Sequence, residues 1–551
     1  LSYVIPIGGV VQFTPYVGWS HLLVKGSSHV LDATPGIDGF APPHCNVEIE
    51  SDRRGEDPDG RATEECVRAL EGVETNDLKA NFVLPSQLHN INRFFGGFRV
   101  KLTVVTFLTE VVIADGLGSY SGKLEFDMEY PDGRSERRPI SQRRALMEDP
   151  DRRIRQAAFD GGNRAWATVE DVAGAALNAI SGTRLTLNRH RGVDHFLDIA
   201  LFQSSITRRT IDAMFAAIDD QIELPRRILA LKAQLQATDG VAWYDLGAPL
   251  PLPDQSKLSW DEGKDLVARS FSSAYPLLGE FLGQVYERQW IDYAPRPGKR
   301  PGAFCTGSLK TRESRIYMTY NDTLGDIRTL AHEVGHAFHS YIMRDVRTFA
   351  HSYPMTLAES ASTFGEMILS EGIVTDPSFS SAQKASALDQ EISHGAIFLL
   401  DIPVRYRFEK KLYEERATGE LTVSRLNELM VETQREVFGP VLAAGSEDPY
   451  FWASKLHFYI TGVTFYNFPY TFGFLLSRGL FSMFKEEGAA FLPRYEEFLR
   501  LTGSDSAEGV AKKALGRDLE DPQFWVEAIQ SLEEPLAELE KLLPDIMPEH
   551  N

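Results

Sequence analysis

The segment His332-Glu333-Val334-Gly335-His336 sets two histidines four residues apart. On a helix that spacing leaves them about 40° apart around the axis, on one face. Two imidazoles so placed can grip one metal ion. Glu333 is too close in sequence to His332 to share the ion easily, but it is well placed to take a proton from a water that the ion activates. This is the H-E-x-x-H pattern, in which two zinc-binding histidines carry a carboxylate base between them. Leu330, Val334, Phe338 and Tyr341 supply apolar spacing of i, i+4, i+8 and i+11, and no proline falls between Leu324 and Arg344. The spacing therefore predicts a packed amphipathic helix. His339, seven residues after His332, points to the metal side as a partner of a ligand or as a substrate contact.

A catalytic zinc usually takes three protein ligands and keeps a position for water. The extended pattern H-x-x-G-x-x-H fails here, because it requires Gly where His339 stands and His where Ile342 stands. The third ligand is then a glutamate on a second helix. Ser352-Tyr353-Pro354 reads as an N-cap followed by proline in the first turn. The helix is expected to run to about Ser370, with Gly372 as its stop. It carries Glu359 and Glu366, seven apart and so on one face. Glu359, near the returning loop, is the ligand candidate. Glu366 is the candidate for orienting a ligand imidazole.

Thr329 to Ser340 and Ala358 to Glu366 resemble the corresponding segments of the oligoendopeptidase F group of thimet oligopeptidase-like zinc metallopeptidases. The resemblance implies one Zn2+ per chain on His332, His336 and Glu359, with Glu333 as general base. It also implies a deep cleft that admits short flexible oligopeptides and excludes folded proteins. Attack on a peptide carbonyl makes an oxyanion that needs donors besides the metal. The runs Leu456 to Tyr459 and Phe465 to Gly473 resemble the group's late His and Tyr segments, which reach the substrate carbonyl. The role passes to His457 and Tyr466, with Tyr470 and then Tyr459 beside them.

These residues need a scaffold. The chain has 551 residues, more than one core usually holds, so several lobes are expected. Residues 1–138 contain short β-branched runs, such as Val4 to Val11 and Val100 to Phe107, and the turn Tyr130-Pro131-Asp132-Gly133. They read as a β-rich or mixed region that the resemblance does not cover. Residues 139–257 read as a helical N-terminal lobe, closed by a Pro-rich connection from Trp243 to Pro253. Residues 258–551 read as a helical domain carrying the zinc site. The expected fold is mostly α and multi-lobed, of zincin-like metallopeptidase type, with a deep central cleft and a small sheet near the zinc helix. Arg315 to Tyr320 would supply a strand of that sheet, either an edge able to pair with an extended peptide or a strand within it.

A net charge of −21 argues against nucleic acid and anionic membrane surfaces as partners. Leu456 to Ser477 holds no Lys, Arg, Asp or Glu over 22 residues, yet Gly462, Asn467 and Pro469 mark it as a buried aromatic segment rather than a membrane span. The three cysteines, Cys45, Cys66 and Cys305, make no disulfide framework, and no basic-then-apolar leader opens the chain. Both point to the cytoplasm. Cys305 falls near the site, either redox-sensitive or inert. Two other readings of the same pattern are a zinc carboxypeptidase and a peptide-binding protein with a non-catalytic zinc. The first calls for a basic side chain gripping a C-terminal carboxylate. The second leaves Glu333 without a purpose.

Overall fold

The computed structural model describes residues 123–251, 257–299 and 302–547, together with the backbone of three short strands nearer the N-terminus. Those strands are β1 (Ser20–Lys25), β2 (Ser28–Ala33) and β3 (Val47–Glu50), antiparallel in the order β1-β2-β3. The runs Val4 to Val11 and Val100 to Phe107 lie outside the described residues. The expected turn at Tyr130-Pro131-Asp132-Gly133 is present and joins β4 (Glu125–Glu129) to β5 (Ser135–Pro139). Gly133 has φ +88°, which glycine adopts without steric cost, and its N–H donates to Tyr130 O at 2.9 Å. Phe126 and Met128 project from one face of this hairpin and are buried against Ala158 and Ala165 of helix α1 (Arg152–Ala167).

From α1 onward the described chain is mostly helix around one large apolar core. Helix α2 (Glu170–Arg191) stops at Gly192, which has φ +69°. Helix α3 (Trp260–Ala274) starts from a capping box between Ser259 and Glu262. A three-stranded sheet follows, made of β6 (Ile291–Asp292), β7 (Phe304–Ser308) and β8 (Glu313–Tyr317) in the order β6-β8-β7. The sheet expected near the zinc helix is therefore present. Its edge is not the Arg315 strand, however. β8 lies in the middle, paired on one side with β6 in parallel and on the other with β7 antiparallel. β7 and the two-residue β6 are the sheet's edges.

Helix α4 (Leu324–Ile342) carries the two histidines. Thr323 Oγ1 accepts from Asp326 N at 3.1 Å, and Asp326 Oδ2 accepts from Thr323 N at 3.0 Å. That reciprocal cap fixes where the helix begins. Leu330, Val334 and Phe338 are buried, as their spacing predicts, and Tyr341 is half-buried.

The second helix differs from its expectation. Instead of one helix from residue 352 to about Ser370, there is a single turn (Met355–Ala358), a break over residues 359–361, and then α5 (Ser362–Thr375). Side chains donate to the carbonyls around the break, of which Glu359 O also accepts from Thr363 N at 3.1 Å. Ser360 Oγ donates to Leu357 O at 2.9 Å, Tyr495 OH to Ser360 O at 3.0 Å, and Ser477 Oγ to Glu359 O at 3.0 Å. Gly372 does not end α5, which continues to Thr375.

Helices α6 (Ser381–Ala396) and α7 (Phe468–Glu487) complete the surroundings of the site. Among the described residues, no helix is long and apolar enough to cross a membrane. The uncharged stretch at Leu456 to Ser477 instead places Phe468, Phe472 and Leu475 in the core.

Candidate active site

Helix phase puts His332 and His336 on one face of α4, with ring centroids 4.8 Å apart. The break at residues 359–361 turns the Glu359 carboxylate toward them. Its Oε2 lies 3.4 Å from His332 Nε2 and 3.5 Å from His336 Nε2, and Ser362 Oγ donates to the same oxygen at 2.7 Å. These are the three residues among those described whose ligand atoms gather, all within 4.8 Å of one another.

Three glycines permit the approach. A Cβ on Gly335 would stand 2.4 Å from Ala361 O, one on Gly365 3.0 Å from Ala331 O, and one on Gly473 3.2 Å from Glu359 Cβ. The backbones of α4 and α5, and α7 beside Glu359, therefore touch where side chains would hold them apart.

Glu366, on α5, bridges two residues of α4. Its Oε1 lies 2.5 Å from His332 Nδ1, and its Oε2 accepts from Arg328 Nε at 2.5 Å. Burial opposes charge on His332. The Glu366 carboxylate outweighs it, holding the imidazole up at about 9. His336, buried and beside His332, is held below its ordinary value. Glu333 is 5% exposed, and its Oε2 has no hydrogen-bond partner. Burial, then the charges of Glu359 and Glu366 against the opposing pull of His332, push its carboxyl up to about 7. A dication in the site would pull it back down.

The site opens into a cavity of about 450 Å³ lined by His332, Glu359, Glu366, Arg328, His394 and Tyr470. A second cavity, of about 490 Å³, adjoins the first and shares Gly325, Gln390 and His394 with it. On the aromatic side, His457 sits in a 3-10 turn (Leu456–Phe458), and Tyr470 lies in the first turn of α7. His457, Tyr466 and Tyr470 form a triangle with ring centroids 5.7 to 5.9 Å apart. Burial, with Arg405 and Lys455 nearby, lowers His457 to about 4, so its imidazole is neutral. The approach to Tyr466 is held in a positive-φ turn. Phe465 has φ +53°, and its N–H donates to the buried Glu409 at 3.0 Å.

Residues 268–531 match the family described as Peptidase family M3. The chain is 27% identical over 405 residues to oligopeptidase PepF of Bacillus subtilis, covering 72% of this chain and 59% of that protein. An oligoendopeptidase F homolog of Lactococcus lactis subsp. lactis is 28% identical over 407 residues, covering 72% and 66%. The chain thus spans roughly three-fifths to two-thirds of the length of these relatives. In fold it is similar to oligoendopeptidase-F from Enterococcus faecium, with TM-score 0.64, 19% identity and coverage of 88% and 86%. A Chlamydophila abortus structure described as a candidate peptidase gives TM-score 0.71, 21% identity and coverage of 88% and 84%.

Within the matched residues, His332, Glu333, His336, Glu359 and Glu366 come together at one point, and His457, Tyr466 and Tyr470 form a second group that meets the first cavity through Tyr470. Two expected residues go elsewhere. His339 has the right helical phase but lies about 10 Å further along the axis than His332. It is fully buried, its Nε2 is 2.9 Å from Thr502 Oγ1 and 3.2 Å from Leu499 O, and its ring stacks on Tyr353. It is a core residue, neither a partner of a ligand nor a substrate contact. Tyr459 is 2% exposed with no partner for its hydroxyl, also in the core. Cys305 is pushed up to about 12 by burial and then by the Glu333 charge, so its thiol is protonated and inert at neutral pH.

Arg328 and His394 were missed by sequence reasoning. Arg328 is four residues before His332, so helix spacing alone would have put it on the metal face. His394 gives no such signal, because only the packing of α6 brings it to the cavity. Arg328 first, then burial, lowers His394 to about 3 and keeps it uncharged.

Proposed function

We propose that the chain is a zinc-dependent endopeptidase that hydrolyses internal bonds of short, unstructured oligopeptides in the cytoplasm. What supports this most is the pairing of a three-residue ligand set with a buried, unpartnered carboxylate beside it. Four ligands at 2.0 to 2.1 Å around a tetrahedral ion stand about 3.3 Å apart. The 3.4 and 3.5 Å separations from Glu359 to the two histidines fit that figure. Two imidazoles and a carboxylate favour zinc over a hard cation such as Mg2+. His332, His336 and Glu359 would hold the ion, which when bound supplies Lewis acidity and lowers the pKa of water.

Glu333 Oε2 accepts the proton of the attacking water and later delivers it to the departing amine. Glu366 holds His332 by Nδ1 and leaves Nε2 free to face the ion. The hydroxyls of Tyr470 and Tyr466 and neutral His457 are the donors available to the oxyanion. The free edge of β7, beside α4, offers backbone groups to an extended peptide. An unstructured substrate can follow such an edge, whereas a folded protein cannot enter cavities of this size.

The deciding experiment is mass-spectrometric digestion of mixed short peptides beside a folded protein, before and after a chelator. Internal cuts in the peptides alone, lost with chelator and restored by zinc, are the expected outcome. Stepwise loss of C-terminal residues would overturn the endopeptidase reading in favour of a carboxypeptidase. No cleavage with zinc bound would leave a peptide-binding protein.

A further inference from the structure

The side chain of Arg328 is 18% exposed at the cavity wall, and its hydrogen bond goes to Glu366 rather than to any of the three ligand residues. It spends its Nε–H on Glu366 Oε2 at 2.5 Å, while the other oxygen of that carboxylate lies 2.5 Å from His332 Nδ1. Arg328 and His332 are four residues apart on α4, so the helix presents them side by side and Glu366, on α5, spans them. The Glu366 side chain is 11% exposed. A carboxylate that dry needs a counter-charge, or it turns toward water or takes a proton.

We infer that Arg328 is a positioning residue for the metal site, fixing the Glu366 carboxylate so that it holds the His332 ring in its ligating orientation. The inference rests on the proposed metal site. The geometry is a chain of three side chains, each with one contact to the next. Without Arg328 the carboxylate keeps only its contact with His332 and is free to rotate about its own side chain. The imidazole then loses its fixed partner at Nδ1, and the entropy of ordering it falls on metal binding. An ion pair that merely joined α4 to α5 would stabilise the fold but have no reason to change the zinc affinity of a folded variant.

The test is zinc affinity, read by equilibrium competition with a coloured chelator, on the wild type, Arg328→Gln, Arg328→Lys, Glu366→Gln and the double variant Arg328→Gln/Glu366→Gln. Arg328→Gln is expected to weaken zinc binding by about 10- to 100-fold. Arg328→Lys, which keeps the charge, should recover part of the loss. The double variant should bind no more than about twofold more weakly than Glu366→Gln alone, since Arg328 has nothing left to position. Thermal melting of each variant shows whether it is folded, and the lysine variant carries the test if the glutamine variant is not. Wild-type affinity in Arg328→Gln would overturn the inference, as would losses that simply multiply in the double variant. A wild type that binds zinc but cuts no peptide would sink the peptidase reading, and the same affinities would still decide the role of Arg328.

Discussion

Gly335 is the residue at which stability and chemistry should part most clearly. In an α-helix, Gly→Ala ordinarily stabilises by about 1 kcal/mol, because alanine has less backbone freedom to lose. Here the new Cβ would stand 2.4 Å from Ala361 O, 2.5 Å from Ser362 Cα and 2.8 Å from Ala361 C, all backbone atoms that cannot swing aside. Restoring ordinary contact requires α4 and the 359–361 break to separate by roughly 1 Å. Overpacking of this kind costs about 1–3 kcal/mol, so the net change in stability is a loss of at most about 2 kcal/mol. The site tolerates far less. Glu359 is two residues before Ala361, and metal–ligand distances hold to within about 0.2 Å. A displacement near 1 Å also costs on the order of 100-fold in rate. Gly335→Ala should therefore stay folded, with a melting temperature a few degrees lower at most, while zinc affinity and kcat/KM on a fluorogenic peptide fall by 100-fold or more. Gly325→Ala is the control, since it is on the same helix and nothing lies closer to its Cβ than Thr323 Oγ1 at 3.6 Å. If Gly335→Ala matched the wild type in both zinc affinity and turnover, the close helix approach would not be what sets the ligand geometry.

Other perturbations separate the remaining roles. Glu333→Gln should keep zinc and the fold but lose turnover by at least about 100- to 10,000-fold, as measured by metal analysis and peptide hydrolysis. Retained turnover would remove Glu333 from the mechanism. His339→Ala removes a buried ring that meets Thr502 and Leu499, so chemical denaturation should show a loss of about 2–4 kcal/mol with zinc affinity unchanged. Lys455 packs its ammonium 4.5 Å over the Phe451 ring, and burial and then Arg405 lower it to about 7. An unfolded lysine titrates near 10.4, so between pH 7 and 10 the fold binds fewer protons than the unfolded chain and stability rises with pH. Below pH 7 the fold bears the full cost. Lys455→Met should accordingly stabilise the protein at pH 6 by on the order of 2 kcal/mol and flatten that rise, as read from urea midpoints at several pH values.

The chemistry was legible in the sequence wherever it depends on spacing along one helix. His332, Glu333 and His336 share a turn, Thr323 and Asp326 start it, and Leu330, Val334 and Phe338 bury the opposite face. Each is a consequence of 3.6 residues per turn. The turn at Tyr130 to Gly133 was equally local, because its residue types permit little else.

Local rules stop where two segments must meet. The sequence put Glu359 and Glu366 on one continuous helix. In the fold that helix is interrupted at residues 359–361, where Ser477, Tyr495 and the bare backbone at Gly335, all from elsewhere in the chain, pack against it and Glu359 faces the histidines. His339 shares their angular phase, yet axial rise carries it into a core whose far wall, Leu499 and Thr502, is about 160 residues away in sequence. The same limit separates Tyr459, packed inward, from Tyr470, which lines the cavity. His394 reaches that cavity only because α6 packs beside α5. Periodicity and capping energies act within a few residues and can be read from order alone. Which side chains face one another across a cavity depends on how whole helices bury their apolar faces, and that is decided only when the core closes.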